Sequence, residues 1–345
     1  MKRYLFIIGV PVLATLLALA AGEGILRFVE KRGGPRFNGL SVAFGENFFF
    51  HHWKPGQPLY PTKPLFDRWV GWHAGPHTES PEVVFNSLGW RSRHEYAPMK
   101  NSKRVILIGD SFTYGTHLPD GQTIADRLQA SLGETYQVLS FAAEGYGIDQ
   151  MAVIATQLAP AYQPNAVIVA FIADDLRRTC TPFAWGQARK PYYELVGGRP
   201  LLRGFPVPQP EINARRHRRL PQRVTDALLT YLSKSRVINA LASPYLQWRE
   251  KNCLESLNAG LFTEIQRTLS PGTRLLFAHL DGDLPEGFRR HLKKSGIGYL
   301  EYREFEGTLA ARLHLVPGRS DGYHPDAARA QVIASVYRDW LESGR

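Results

Sequence analysis

The sequence predicts an α/β protein whose core is a doubly wound, mostly parallel sheet of five strands flanked by helices. From residue 104 onward, short apolar runs alternate with stretches in which apolar residues recur at helical spacing. One run, residues 166–172, is apolar throughout, as expected of a central parallel strand that helices cover on both faces. An uncharged run near the N-terminus adds a membrane-spanning helix before this core.

The N-terminal run covers residues 4–22 and follows two basic residues directly after Met1. Its length is near the roughly 20 residues that span a bilayer, and the preceding positive charge favours a cytoplasmic N-terminus. We predict a signal-anchor over residues 1–29, with the rest of the protein in the periplasm on the outer face of the inner membrane. A small-x-small sequence at residues 18–20 leaves a cleaved signal peptide, and hence secretion to the periplasm, as the alternative.

Residues 30–103 are predicted to be a loop-rich extension packed on the core. The segment 30–80 is rich in Gly, Pro, His and aromatic residues and has no sustained period. His51 and His52 are adjacent rather than at helical metal spacing, so packing or exposure is expected of them.

The main domain is predicted over residues 104–345. In its first helix Ile124, Leu128 and Leu132 recur every four residues, and Gly133 can end that helix. The predicted strands are residues 105–108, 137–141, 166–172, 274–280 and 298–302. The further predicted helices lie around residues 151–162, 224–241, 254–269 and 285–294, with a closing helix that carries an apolar stripe over 332–340.

Residues 177–222 interrupt this alternation. They combine many Arg, Pro, Gly and aromatic residues without clear periodicity, which indicates an insertion. Loops at the carboxyl edge of such sheets can add specificity to a common scaffold, so this segment is a candidate lid or acceptor-binding region.

Two sequence segments carry candidate chemistry. Ser111 follows Gly109 and Asp110 directly after the first predicted strand, and Asp321 precedes His324 by three residues before the closing helix. A serine hydroxyl needs an adjacent base to attack a carbonyl carbon, and a carboxylate can orient that base. We therefore predict Ser111 as nucleophile, His324 as base and Asp321 as its orienting group.

These segments resemble the SGNH (GDSL-type) hydrolase family over most of the chain. The serine block, a glycine block after the second strand and the Asp-x-x-His block are present, and residues 86–91 and 190–193 are similar to segments of exported or membrane-anchored bacterial members. The resemblance implies a flavodoxin-like three-layer fold and hydrolysis of ester bonds. It also implies an oxyanion hole that uses the backbone N–H groups of Ser111 and Gly145.

The block after the third strand departs from the family pattern because Asp174 stands where asparagine is expected. An amide would donate to the oxyanion, whereas an ionised carboxylate only accepts. Losing one such donor costs roughly 100- to 1,000-fold in rate. Burial beside Asp175 could keep Asp174 protonated, Asp175 or another donor could take its place, or the enzyme is slow or inactive.

Composition limits the partners. The net charge of +11 would favour nucleic acid inside a cell, but export removes that argument, and no nucleic-acid partner, cofactor or metal is expected. The basic cluster 215–219 could contact anionic lipid or acidic polysaccharide, or could be a solvated loop. Cys180 and Cys253 could form one disulfide or remain two free thiols.

Three functions remain open from the sequence. The first is an extracytoplasmic serine esterase that acts on acyl esters of a glycan or lipid. The second is an O-acyltransferase that passes the same acyl group to an extracellular polysaccharide. The third is a membrane-tethered binding or assembly protein that keeps the fold without turnover.

Overall fold

The structure is a computed structural model, and the chain in it forms two compact units. One contains residues 1–51 and 211–250, and the other contains residues 52–210 and 251–345. The described residues are 2–34, 65–73, 83–96, 102–181, 183–184, 188–207, 235–301 and 324–343. His51, His52, the basic cluster 215–219 and Asp321 lie outside them.

The described helices and strands follow the predicted alternation. The helices are α1 (Lys2–Lys31), α2 (Ser111–Tyr114), α3 (Ile124–Leu132), α4 (Ile148–Val153), α5 (Ala173–Arg178), α6 (Arg236–Glu250), α7 (Asn258–Thr268), α8 (Glu286–Lys294) and α9 (Ala327–Glu342). The strands are β1 (Leu65–Asp67), β2 (Gly71–His73), β3 (Lys103–Gly109), β4 (Tyr136–Ala142), β5 (Ala166–Ile172), β6 (Phe183–Ala184), β7 (Ala188–Arg189), β8 (Tyr192–Val196), β9 (Arg199–Arg203), β10 (Arg274–Asp281) and β11 (Tyr299–Leu300).

The central sheet has five strands in the order β11-β10-β5-β3-β4, and all of its pairings are parallel. This confirms the predicted doubly wound sheet. The first strand of the sheet, β3, lies between β4 and β5, so the direction of winding reverses beside it. In open sheets of this kind ligands bind outside the carboxyl ends of the strands at such a reversal point.

Strand β3 shows how the core is filled on both faces of the sheet. Val105 and Leu107 belong to the apolar cluster that includes α3 and α9, whereas Ile106 and Ile108 belong to the cluster that includes α4 and α7. All four side chains are fully buried. Because helices cover both faces, the strand is a continuous apolar run rather than an alternating one.

Two predicted helices are less regular than expected. The one predicted at 151–162 begins at α4, passes through a π-helical turn at Ile154–Leu158 and ends as a 3₁₀ turn at Ala159–Tyr162, where Pro160 is accommodated. The one predicted at 254–269 starts as a π-helical segment at Lys251–Leu257 before α7.

The described part of the 177–222 insertion contains regular structure that its sequence did not indicate. β6 pairs with β7, and β8 pairs with β9, each as an antiparallel hairpin. The turn between β8 and β9 is Gly197-Gly198, with φ of 57° and 79°, as a two-residue hairpin turn requires. These hairpins are too short to give a strong periodic signal. Residues 208–222 of the insertion lie outside the described ranges.

A disulfide joins Cys180 to Cys253, with a Cα–Cα distance of 5.7 Å. The sequence left this pairing open because 73 residues separate the two cysteines. The bond links the segment just after α5 to the π-helical segment that precedes α7.

In the smaller unit α1 and α6 are joined by polar contacts. The Glu23 carboxylate accepts hydrogen bonds from the Ser235 hydroxyl at 2.9 Å and the Val237 backbone N–H at 3.2 Å. Arg236 forms an ion pair with Glu30 at 2.8 Å. Within α1, the segment Val10–Lys31 contains a stretch that is long and apolar enough to cross a membrane, although no membrane is present. The predicted helix at 224–241 is described only from Arg236, and α6 extends beyond its predicted end to Glu250.

Candidate active site

The nucleophile loop follows β3 at the carboxyl edge of the sheet. Asp110 caps α2, because its carboxylate accepts the backbone N–H of Phe112 at 3.0 Å, and Ser111 is the first residue of the helix. A Cβ atom on Gly109 would lie 2.2 Å from the Thr113 hydroxyl oxygen, so only glycine fits at the end of the strand. The close approach of α2 to the strand end therefore fixes the position of Ser111.

Ser111 and His324 meet although 213 positions separate them. The Nε2 atom of His324 lies 3.1 Å from the Ser111 hydroxyl oxygen, within hydrogen-bond distance. The same hydroxyl lies 3.3 Å from the Asp110 carboxylate. The structure thus brings two of the predicted site residues together.

Two aromatic side chains flank the His324 ring. The ring centroids of Phe112 and His117 lie 5.5 Å and 5.8 Å from that of His324. His117 has a φ of 67°, which is uncommon for a residue other than glycine. Sequence reasoning did not single out His117, because nothing in its neighbourhood distinguishes it from a surface histidine.

The glycine block forms the loop between β4 and α4. Gly145 has a φ of 77°, a left-handed conformation that glycine adopts without steric cost. The β1–β2 hairpin holds this loop from outside. The Trp72 indole donates to the Glu144 carbonyl at 3.1 Å, and the Tyr146 hydroxyl donates to the Trp72 carbonyl at 2.7 Å.

Arg178 connects these two loops from the end of α5. Its Nη1 atom donates to the Tyr146 carbonyl at 3.1 Å and to Asp175, and lies 3.4 Å from the Asp110 carboxylate. Burial raises the pKa of both carboxyl groups, and the neighbouring Asp110 charge helps to place the pKa of Asp175 well above its ordinary value. The three-residue spacing of Asp175 and Arg178 on a helix could have indicated their ion pair, but not the contacts to the other loops.

The comparisons with known proteins concern the fold. The sequence matches no profile of a protein family, and no curated protein gives a significant match. Among solved structures, TesA is 14% identical, covers 70% of this chain and 100% of its own, and has a TM-score of 0.37. A G-D-S-L family lipolytic protein from Veillonella parvula is 12% identical, covers 70% of this chain and 97% of its own, and has a TM-score of 0.35. The esterase EstA from a Pseudoalteromonas species is 11% identical, with 70% and 98% coverage and a TM-score of 0.37.

The strand order of the sheet and the loops at the ends of its strands define the fold. A five-stranded parallel sheet places the serine block, the glycine block and the block that holds Asp174 after its first three strands in chain order. The chain has the fold of an SGNH hydrolase. Among these features Asp174 remains the departure from the family pattern.

Asp174 and Asp175 have opposite environments in this SGNH fold. The Asp174 side chain is 40% exposed and pairs with Arg177 at 2.9 Å. Asp175 is fully buried, and its carboxylate accepts the Ile172 backbone N–H at 2.9 Å. Of these two carboxyl groups the buried one is therefore that of Asp175, and the Asp174 side chain does not have the burial that one of the alternatives required.

Two further acidic side chains, the half-buried Glu144 and the fully buried Asp149, lie at the glycine block. Glu144 accepts a hydrogen bond from the Thr116 hydroxyl at 2.8 Å, and burial raises its pKa. Asp149 pairs with Lys190, and both side chains are buried. Burial raises the pKa of Asp149 and lowers that of Lys190, each opposed by the partner's charge. This pair attaches the insertion to the start of α4, which accounts for a lysine in the 190–193 segment.

Among the residues that the structure describes, no group of three His, Cys, Asp or Glu side chains could hold a metal ion.

Proposed function

We propose that this chain is a serine ester hydrolase that works through an acyl-Ser111 intermediate. The observation that carries the proposal is the 3.1 Å contact between the Ser111 hydroxyl oxygen and His324 Nε2. The contact lies beside the strand reversal of the sheet, where this fold class binds its ligands.

In the first half of the reaction the Ser111 hydroxyl donates its proton to His324 Nε2 as its oxygen attacks the ester carbonyl carbon. The tetrahedral intermediate collapses when the alcohol leaves with that proton. Water then repeats the sequence on the acyl-enzyme and releases the acid. His324 can accept at Nε2 only if Nδ1 carries the ring proton, and Asp321 is our candidate acceptor for it.

The oxyanion formed in both halves needs donors that are fixed before the reaction. Ser111 begins α2, and the first N–H groups of a helix have no acceptor within the helix. Its backbone N–H is therefore our first candidate donor, and that of Gly145 is the second. Asp174 would be a poor third member, since it carries a carboxyl group and pairs with Arg177.

We place this activity outside the cytoplasm, on acyl esters of a glycan or lipid. Two features support the location. The apolar segment within α1 could anchor the chain in the inner membrane, and the Cys180–Cys253 disulfide suits an oxidising compartment such as the periplasm. The substrate class is the one that the family resemblance implies for an exported member.

A serine-directed fluorophosphonate probe tests the proposal on the purified full chain. The wild type should be labelled, whereas Ser111→Ala should not react and His324→Ala should react far more slowly. Thermal melts of both variants should match the wild type. If the folded wild type takes up no label, the non-catalytic assembly protein becomes the better hypothesis. A panel of acetyl and longer acyl esters would then identify the acyl group of an active enzyme.

Transfer of the acyl group to a sugar hydroxyl is the second candidate function. The Asp149–Lys190 pair ties the insertion to the helix that follows the glycine block, so the insertion is attached beside the proposed site. A segment in this position could bind an acceptor and exclude water. Incubation with an acyl donor and a glycan should then give acylated glycan, and free acid alone would argue against transfer.

A further inference from the structure

Helix α6 presents a row of large apolar side chains to solvent. Leu241, Tyr245 and Trp248 are 76%, 53% and 63% exposed. They are four and three residues apart, so they share one face of the helix. The rings of Tyr245 and Trp248 stack with centroids 6.0 Å apart. Asn239, which is buried, lies on the opposite side of the helix.

This face belongs to the same compact unit as the apolar segment of α1. The large apolar side chains that are exposed on α1 extend from Val10 to Val29. Most of the large exposed apolar side chains in the described residues lie on these two helices. Large apolar side chains exposed in such numbers mark a site of contact with a protein or a membrane.

The contacts between the two helices set the level at which α6 begins. Glu23 is the first charged residue after the uncharged run 4–22. At about 1.5 Å per residue that run is about 28 Å long, close to the roughly 30 Å hydrocarbon core of a bilayer. Glu23 would therefore lie at the boundary between hydrocarbon and headgroups. Its carboxylate accepts hydrogen bonds from Ser235 and Val237, so the start of α6 lies at the same level.

We propose that α6 is an interfacial helix that lies against the outer surface of the bilayer and buries Leu241, Tyr245 and Trp248 among the lipid headgroups and upper acyl chains. Tyr and Trp suit this layer because their rings are apolar and their polar atoms remain near water. The Arg236–Glu30 ion pair attaches the start of α6 to the part of α1 beyond the hydrocarbon core. The inference rests on the proposed membrane span of α1 and is independent of the esterase activity.

Site-directed fluorescence on the full chain in lipid nanodiscs tests this arrangement. Single cysteines at Leu17→Cys, Tyr245→Cys and Gln247→Cys would carry an environment-sensitive dye. Both native cysteines are bonded in the disulfide and should not react. The nanodiscs would contain phosphatidylethanolamine and phosphatidylglycerol, with nitroxide quenchers placed either at the headgroup or deep in the acyl chain. Gln247 is the matched control because it is exposed on the same helix but lies on another face.

We expect the dye at position 245 to shift to the blue and to lose emission with the headgroup quencher. The dye at position 247 should keep an aqueous spectrum, and the dye at position 17 should be quenched from the acyl chain. Quenching at 17 without quenching at 245 would overturn the interfacial helix alone. A blue shift at 245 without lipid quenching would also overturn it and would indicate a protein partner or a second copy. No quenching at 17 would remove the membrane span on which the inference rests, and fluorophosphonate labelling of Ser111 in the same samples would report separately on the proposed esterase.

Discussion

The Arg178 guanidinium lies 3.4 Å from the carboxylate of Asp110, the residue directly before Ser111. Its Nη1 atom also donates to the carbonyl of Tyr146, the residue directly after Gly145. A single side chain from the end of α5 therefore contacts both of the loops whose backbone N–H groups we propose as donors to the oxyanion. We infer that Arg178 is a positioning residue, which sets the distance between these loops without contacting the reacting atoms.

Replacing Arg178 should cost both stability and turnover. Arg178→Met leaves two buried carboxyl groups without their cation, and removing one partner of a buried ion pair typically costs about 3–5 kcal/mol. Arg177→Met is the matched control, because the Arg177 side chain is 59% exposed and its pair with Asp174 is at the surface. The control should cost below about 1 kcal/mol. Urea unfolding gives the free energies of both variants.

Steady-state kinetics separates positioning by Arg178 from a purely structural role. If Arg178 positions the donors, its loss should lower kcat with little change in KM, because the donors act on the transition state. Arg178→Lys, which keeps the charge, should recover part of kcat. A folded Arg178→Met variant with wild-type kcat would contradict the positioning role.

Glu144 should make the stability of the protein depend on pH. Burial raises its pKa in the folded state above the ordinary value of about 4.3. The folded state therefore holds the proton more tightly than the unfolded state, and this contribution to stability is lost as the pH rises through the raised pKa. Glu144→Gln cannot titrate, so its stability relative to the wild type should increase with pH above about 4.3.

Urea midpoints for wild type and Glu144→Gln, measured from about pH 4 to pH 8, would check the sign. Glu134→Gln serves as control because Glu134 is exposed, and its curve should run parallel to that of the wild type. Parallel curves for the wild type and Glu144→Gln, or a stability of Glu144→Gln that falls relative to the wild type as the pH rises, would contradict the prediction.

The Cys180–Cys253 disulfide should contribute strongly to stability, because it closes a long loop in the unfolded chain. Replacing both cysteines with serine should lower the free energy of unfolding by about 2–4 kcal/mol and Tm by roughly 5–15 °C. Thermal melts of the double variant would measure the loss. Treating the wild type with a reductant should reproduce it, and an unchanged Tm in both experiments would show that the bond adds little.

The sequence predicted the sheet well because local signals determine its strands. Residues 166–172 were predicted as a strand and form β5 with the same bounds, and Ile124, Leu128 and Leu132 are buried in α3 as their spacing indicated. The shorter hairpins β6–β7 and β8–β9 were missed, because strands of two to five residues give too little periodicity.

The sequence could indicate a candidate site residue only where its type and its place next to a predicted strand or helix pointed to a chemical role. The predicted nucleophile and base meet in the structure. The remaining polar contacts join segments that are distant in sequence. Arg178 contacts Asp110 and Tyr146, and Lys190 pairs with Asp149. Such contacts depend on how loops from different strands pack together, which no local pattern encodes.

Asp174→Asn tests the one residue that departs from the family pattern. The substitution replaces a carboxylate, which repels a developing oxyanion, with an amide that can donate to it. Because a single donor is worth roughly 100- to 1,000-fold in rate, recovery of even part of this should raise kcat by about 10-fold or more and leave KM nearly unchanged. Initial rates on an activated acyl ester would measure both constants.

Arg177→Met again provides the control for Asp174→Asn, since it breaks the Asp174 ion pair without adding a donor. Its kcat should stay close to that of the wild type. If both variants raise kcat equally, release of the Asp174 side chain rather than the new amide is responsible. If Asp174→Asn leaves kcat unchanged, the backbone N–H groups of Ser111 and Gly145 suffice for the oxyanion. If it lowers kcat, the Asp174 carboxyl group itself already serves the site.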